Sequence, residues 1–321
     1  MKEFLSKSGW FGAVQTDLAG DASARSYKRL TRRNGENAIL MIDPNGQTSR
    51  FAQIARYLTG LGLSAPQIYA DDTEMGLMLL EDLGDGLIAR LAVDPGTEQK
   101  MYLAAIDVLV TLRTSPSAPN LPIATSSFLA GLITPAFDYY LAGQDLCADR
   151  QHALVKLFET TLERYAPDAN VTVLRDYHAD NILWLPERSG VARAGLLDFQ
   201  DAWLGHPAYD LVSLLQDARR DVSQQTQDTV IAHYVSQTGC DPVDLKTAMA
   251  ILGAQRHLRI LGIFARLSAV HGKTHYIDFI PRTWSYLQTC LAHPELAELQ
   301  TALDAVLPAP DPDHLTRLRA L

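Results

Sequence analysis

Along this chain the spacing of apolar positions changes character near residue 83. Before that point they fall in strand-length runs. "ARSYKRL" (24–30) alternates, "NG" at Asn34 and Gly35 is a hairpin signal, and "NAILMID" (37–43) supplies the apolar partner strand. An amphipathic helix follows in "TSRFAQIARYLTGLGL" (48–63), with Phe51, Ile54, Leu58 and Leu61 on one face and Gly60 or Gly62 at its end. "APQIYADD" and "MGLMLLEDL" read as two further strands. After "EDLGDG" (81–86) the period is helical over 98–113, 126–142, 150–165, 208–220, 225–237, 243–270 and 281–291. The exception is a hairpin, "NILWLP" and "ARAGLLDF", turned by "ERSG". The Pro-rich stretch 115–122 and the tail "LPAPDPDH" read as loops. The pattern predicts an α+β fold in two parts, a small antiparallel-sheet lobe over 1–83 and a large helical lobe over 84–321.

Composition narrows the classes. The chain has 321 residues, 47% of them apolar, which is ample for a packed core in two lobes. Its 28 basic and 37 acidic residues give a formal charge of −9, and basic residues cluster only in "KRLTRR". Nucleic acid is therefore not the expected partner, because backbone binding depends on clustered cations. Cys147, Cys240 and Cys290 stand far apart with no CxxC spacing, and read as reduced thiols. No window approaches a membrane span and the N-terminal residues lack a signal-length apolar core, so the expectation is a cytoplasmic protein with no membrane partner.

The densest chemistry lies in "LRDYHADNILWLP" (174–186), followed by "LLDFQD" (196–201). Asp176 precedes Asn181 by five positions, and Asp198 ends the second strand of the hairpin that starts after Asn181. Hairpin strand ends converge, so Asn181 and Asp198 form a pair of hard oxygen donors suited to Mg²⁺. Asp176, on the loop before them, is placed to accept a proton from an attacking hydroxyl. A small sheet lobe, a short connector and a helical lobe carrying this D-x-x-x-x-N, then D-F-x pattern describe a nucleotide-dependent phosphotransferase. Two rival readings are weaker. A D-x-H-x-D metal hydrolase built on Asp176, His178 and Asp180 lacks a distant ligand group, and an inactive nucleotide-binding regulator has no reason to keep Asp176, Asn181 and Asp198 together.

The order of elements and these motifs resemble the aminoglycoside phosphotransferase and choline kinase-like superfamily, with its bilobal protein-kinase-like fold, over essentially the whole chain. More closely, "GDASARSYKRL", "LLEDLGD", "LRDYHADN", "LLDFQDAWLGHPAYDLVSLLQDARRDV" and "LGIFARL" resemble bacterial anomeric sugar kinases acting on N-acetylmuramate and N-acetylglucosamine at C1. The resemblance implies an ATP- and Mg²⁺-dependent transferase with a small amino sugar as acceptor, in cell-wall sugar recycling. Aminoglycosides, choline and other small alcohols remain alternative acceptors.

Several site residues follow from that resemblance. The turn Gly20, Asp21, Ala22 and Ser23 becomes a phosphate loop, and the adenine lies against the backbone of Glu81, Asp82 and Leu83. The strand "NAILMID" carries no lysine and the helix after it no acid, so the usual Lys–Glu pair is missing; Arg25 is the first candidate for the phosphate cation, ahead of Lys28 and Arg29. Leu174 stands where the superfamily often has His, and Gln200 replaces the Gly of D-F-G. Asp210 is expected to be structural, stabilising a helix start and tethering the catalytic loop. His178 and Asp180 read as a half-exposed loop pair on the acceptor side. Arg256, Arg259 and Arg266 lie within about 80° on one helix face, where a solvated stripe is the default. Arg219, Arg256 and Arg259 are the candidates for an anionic acceptor group.

Overall fold

The computed structural model describes residues 1–18, 25–46, 48–144, 146–167 and 169–321. In chain order its strands are β1 (Val14–Leu18), β2 (Ser26–Thr31), β3 (Asn37–Ile42), β4 (Ile68–Asp72), β5 (Leu77–Glu81), β6 (Val171–Val173), β7 (Ile182–Trp184), β8 (Ala194–Leu196) and β9 (Trp203–Gly205). The α-helices are α1 (Lys2–Lys7), α2 (Thr48–Gly60), α3 (Ile88–Leu91), α4 (Pro95–Thr114), α5 (Ser126–Gly131), α6 (Ala148–Tyr165), α7 (Ala208–Leu215), α8 (Gln224–Thr238), α9 (Pro242–His271), α10 (Ile280–Leu291), α11 (Ala297–Asp304) and α12 (Pro312–Ala320). The chain divides into two compact units, Met1–Thr111 with Ala179–Ala202, and Leu112–His178 with Trp203–Leu321.

The first unit is built on an antiparallel sheet of order β1-β2-β3-β5-β4. Strand alternation sorts its side chains: Leu30, Ala38, Leu40, Leu77 and Leu79 share one buried cluster with Phe4 and Leu5 of α1 and with Trp10. The unbroken apolar run of β5 is explained by its interior position between β3 and β4. The hairpin β7–β8 also belongs to this unit. Ser64, just after α2, accepts the Leu196 N–H at 2.9 Å, and the Trp184 N–H reaches the Gly86 carbonyl at 2.7 Å. The residue-83 junction expected from the pattern thus falls inside the first unit.

The second unit is helical except for the short β6–β9 ladder, whose register pairs Val173 with Trp203. Its longest element, α9, starts on an Asp241 cap that accepts from Val243 and Asp244 N–H and ends at left-handed Gly272. Two predicted helices and one predicted loop differ from the elements observed. The 208–220 segment stops at Leu215, where Asp217 turns its carboxylate onto the Arg219 N–H at 3.0 Å. The 126–142 segment is interrupted around Pro135, and a single π-type turn covers Ala136–Tyr140. In "LPAPDPDH", Asp311 caps and Pro312 opens α12, so the proline starts a helix there. No helix among the described residues is long and apolar enough to cross a membrane.

Candidate active site

In the second unit, β6 delivers the chain to Leu174 and then to Arg175, whose φ of 74° lies in the left-handed region that a side chain disfavours. The peptide groups around it are held from both sides. Buried Asp210 of α7 accepts the N–H of Leu174 at 2.6 Å and of Arg175 at 2.9 Å. The Arg175 carbonyl accepts from Arg256 of α9 at 3.2 Å and from Ser213 of α7 at 3.3 Å. Backbone strain of this kind persists only where its surroundings over-determine it. What it secures is Asp176, next in the chain, whose side chain keeps 31% of its surface exposed beside the Arg175 guanidinium at 3.7 Å. Burial raises the Asp210 carboxyl to about 7, while its two backbone donors pull the other way.

In the first unit, Ile182 pairs with Leu196 and the Leu197 N–H reaches the Asn181 carbonyl at 3.0 Å, so Asn181 and Asp198 flank the open end of the hairpin. Asp198 is exposed and, like Arg175, left-handed, with φ 56°. Gln200 donates its amide to Asp198 Oδ1 at 2.7 Å, a bond the Gly of D-F-G could not make. Arg50 of α2 donates to the carbonyls of Gln200 at 2.7 Å and Ala202 at 2.8 Å, and Phe51 packs on Phe199 with ring centroids 4.9 Å apart. One amide oxygen and one carboxylate on a stiffened turn are a donor set that fits Mg²⁺ with its remaining positions left to water and phosphate oxygens.

The groups expected around a nucleotide lie in the same unit. Gly20, Asp21, Ala22 and Ser23 fall outside the described residues. Arg25 donates Nε to Asp43 Oδ2 at 3.0 Å, and both side chains are buried. Burial works against the Arg25 charge, but the Asp43 bond and the neighbouring Tyr27, Asp43 and Asp201 keep its guanidinium firmly protonated. Burial raises the Tyr27 hydroxyl, with Arg25 opposing and Asp198 adding, which puts β2 within electrostatic reach of the hairpin end. Where the usual Lys–Glu pair is missing, Arg25 and Asp43 form an ion pair of their own. Arg29 forks between Asp82 at 2.6 Å and Asp85 at 2.8 Å, and Lys28 is paired with Asp17, so neither is poised as a spare cation. The Glu81 N–H is spent on the Gln67 carbonyl at 2.8 Å.

Two expectations for the acceptor side need correction. His178 is buried, not half-exposed; its Nδ1 lies 4.0 Å from Asp217 Oδ2, and burial holds its pKa below the usual imidazole value. Asp180 is half-buried in the turn Ala179–Asn181. Arg256 does not belong to a solvated stripe: it is buried, bonded to the Arg175 carbonyl, with its guanidinium 5.6 Å from the Tyr209 ring centre. Arg259 is half-buried and Arg266 exposed, so one helix face holds three different environments. Arg219 stays beside Asp217, its Nη1 3.7 Å from the carboxylate. Asp217, Arg50 and Asp43 escaped the sequence reading. Only Asp217 carried a signal, an acid ending the apolar run "LVSLLQD" just before two arginines.

This combination, a five-stranded antiparallel sheet, a mostly helical remainder and the Asp176, Asn181 and Asp198 motif, defines a phosphotransferase with a protein-kinase-like fold. Residues 14–249 match the phosphotransferase enzyme family, and the chain belongs to it. It is an ATP-dependent kinase. Among curated proteins it is similar to the N-acetylmuramate/N-acetylglucosamine kinase of Caulobacter vibrioides, 38% identical over 95% of both chains. It is also similar to that of Pseudomonas aeruginosa, 29% identical over 93% of this chain and 91% of the relative. Among solved structures, a choline/ethanolamine kinase family protein from Mesorhizobium loti superposes with a TM-score of 0.64 at 15% identity, over 98% of this chain and 94% of the other. An aminoglycoside-3'-phosphotransferase of type VIII does so at 0.56 and 14% identity, over 82% of this chain and 98% of the other.

Proposed function

We propose that this kinase phosphorylates N-acetylmuramate or N-acetylglucosamine on the anomeric hydroxyl, as a step of cell-wall sugar recycling in the cytoplasm. The observation that carries the acceptor class is the 38% identity to the Caulobacter sugar kinase across 95% of both chains. Asp176 orients the acceptor hydroxyl and takes its proton as the oxygen attacks the γ-phosphorus of ATP; the bond to the β,γ-bridging oxygen breaks and ADP departs. Asn181 and Asp198 hold Mg²⁺, which supplies neutralisation of the phosphate charge. Arg25 contributes the cation that the strand lysine gives elsewhere in the superfamily, and Asp82 and Leu83 lie against the adenine. His178, Asp180, Arg219 and Arg259 are the acceptor-side groups. A neutral imidazole at His178 suits a sugar hydroxyl, and the arginines suit a carboxylate.

The test is product identification. Incubation with Mg-ATP and a panel of amino sugars, aminoglycosides and choline, followed by ³¹P and ¹³C NMR, should place phosphate on C1 of an N-acetylated amino sugar. Phosphate on C6, or on an aminoglycoside or choline alone, would sink this reading.

A further inference from the structure

The second unit contains a cavity of about 640 Å³ that none of the proposed nucleotide, metal or acceptor residues lines. Its walls come from the ends of α4 and α6, the start of α9, and His206 and Pro207 just before α7. Arg113 and Arg164 face it, and so does Tyr234 of α8. Tyr234 is 1% exposed, and its hydroxyl has no hydrogen-bond partner among the described residues. A buried hydroxyl left without a partner costs about 1–3 kcal/mol. Three acids also line the cavity: Asp241 caps α9, Glu295 accepts from the Tyr165 hydroxyl, and Asp244 stands in the first turn of α9, where the helix N-terminus favours a negative charge. Among the described residues Arg113 makes no ion pair, and Arg164 has no ion pair and lies over the Tyr165 ring, 5.0 Å from its centre. Two uncommitted guanidinium groups and a waiting hydroxyl form a receptor for a small oxyanion.

The place of the cavity in the fold gives such a ligand a route to the chemistry. His206 and Pro207 lead directly into α7, whose Asp210 grips the Leu174 and Arg175 amides ahead of Asp176. We propose that this cavity binds a small oxyanion, a carboxylate or a phosphate, as an effector that acts on the catalytic loop through α7. The coupling half rests on the kinase reading; the binding half does not.

Binding is read without any turnover. Cys240 lines the cavity, Cys147 is exposed elsewhere, and burial pushes the Cys290 thiol up to about 12, so iodoacetamide labelling followed by mass spectrometry compares Cys240 with Cys147 as internal reference. Inorganic phosphate and citrate, in separate arms at constant ionic strength, distinguish the two ligand sources. One of them should slow Cys240 labelling selectively. Arg113→Met should weaken that protection about tenfold or more, and Arg164→Met, at an exposed position, serves if the first variant folds poorly. Tyr234→Phe should be at least as stable as the parent without ligand, yet bind more weakly. Protection by neither probe, or protection indifferent to both arginine substitutions, would overturn the site. If a probe binds but leaves kcat and KM of the kinase reaction unchanged at saturation, the coupling is wrong and the α7 route is abandoned.

Discussion

Arg50, in the first turn of α2, donates its Nε to the main-chain carbonyl of Gln200 at 2.7 Å and spans to that of Ala202 with the other arm of its fork. The helix after β3 therefore braces the turn that presents Asp198. In place of an acidic residue reaching for a lysine, this helix offers a cation to backbone oxygen.

Replacing Arg50 by Met should leave both carbonyls without their charged donor. At about 1.5–3 kcal/mol for a hydrogen bond to a charged group, a loss of about 2 kcal/mol or more is expected in urea unfolding. Mg²⁺-dependent nucleotide binding, followed by calorimetry, should weaken with it. Arg50→Lys should recover only part of both, since an ammonium lacks the fork that reaches two carbonyls.

The two aspartates should separate by what they abolish. Asp176→Ala is expected to lower kcat by about 10²- to 10⁴-fold while nucleotide affinity stays near that of the parent. Asp198→Ala should remove turnover and also the Mg²⁺ dependence of ATP binding. Near-parental activity in either variant would take that residue out of the mechanism.

Arg256→Met tests the clamp on Arg175. With its carbonyl released on one side, the strained peptide ahead of Asp176 loses definition, and kcat should fall about tenfold or more with a smaller change in acceptor KM. A group that only bound the acceptor's anion would instead move KM and spare neutral acceptors.

Asp210 gives a pH signature. Its carboxyl stands at about 7 in the folded chain against 3.8 for the free group, so between those values the folded state holds a proton that the unfolded state has lost. The stability it contributes is fully present below about 4 and disappears as pH rises through 7. Asp210→Asn should be less stable overall and should lack this slope. Urea midpoints measured at several pH values for both chains would show it, and parallel profiles would refute the shift.

Much of the architecture was legible in the residues alone because it depends on local periodicity. Alternation in β2, the apolar run of its partner β3, the unbroken run of β5, the i, i+3 spacing of α2 and the long helical period of α9 each state their own conformation. The pairing of β7 with β8 was equally plain, since both strands and their turn lie in one short stretch. Elements of three residues such as β6 and β9 carry too few positions to show a period, and α1 shows its purpose only against the sheet face it covers.

The environment of each charged group was decided only by the tertiary fold. Arg256, Arg259 and Arg266 look alike along a helix, yet one is buried on the Arg175 carbonyl and another is in water. Arg50 and Asp43 gave no hint of their tasks, because their partners lie on other elements: Gln200 stands 150 residues from Arg50, and Arg25 stands 18 from Asp43. Periodicity is a property of neighbouring positions and survives in the linear chain. Burial and charge pairing are properties of the packed solid, and they come into being when distant segments exclude water from between them.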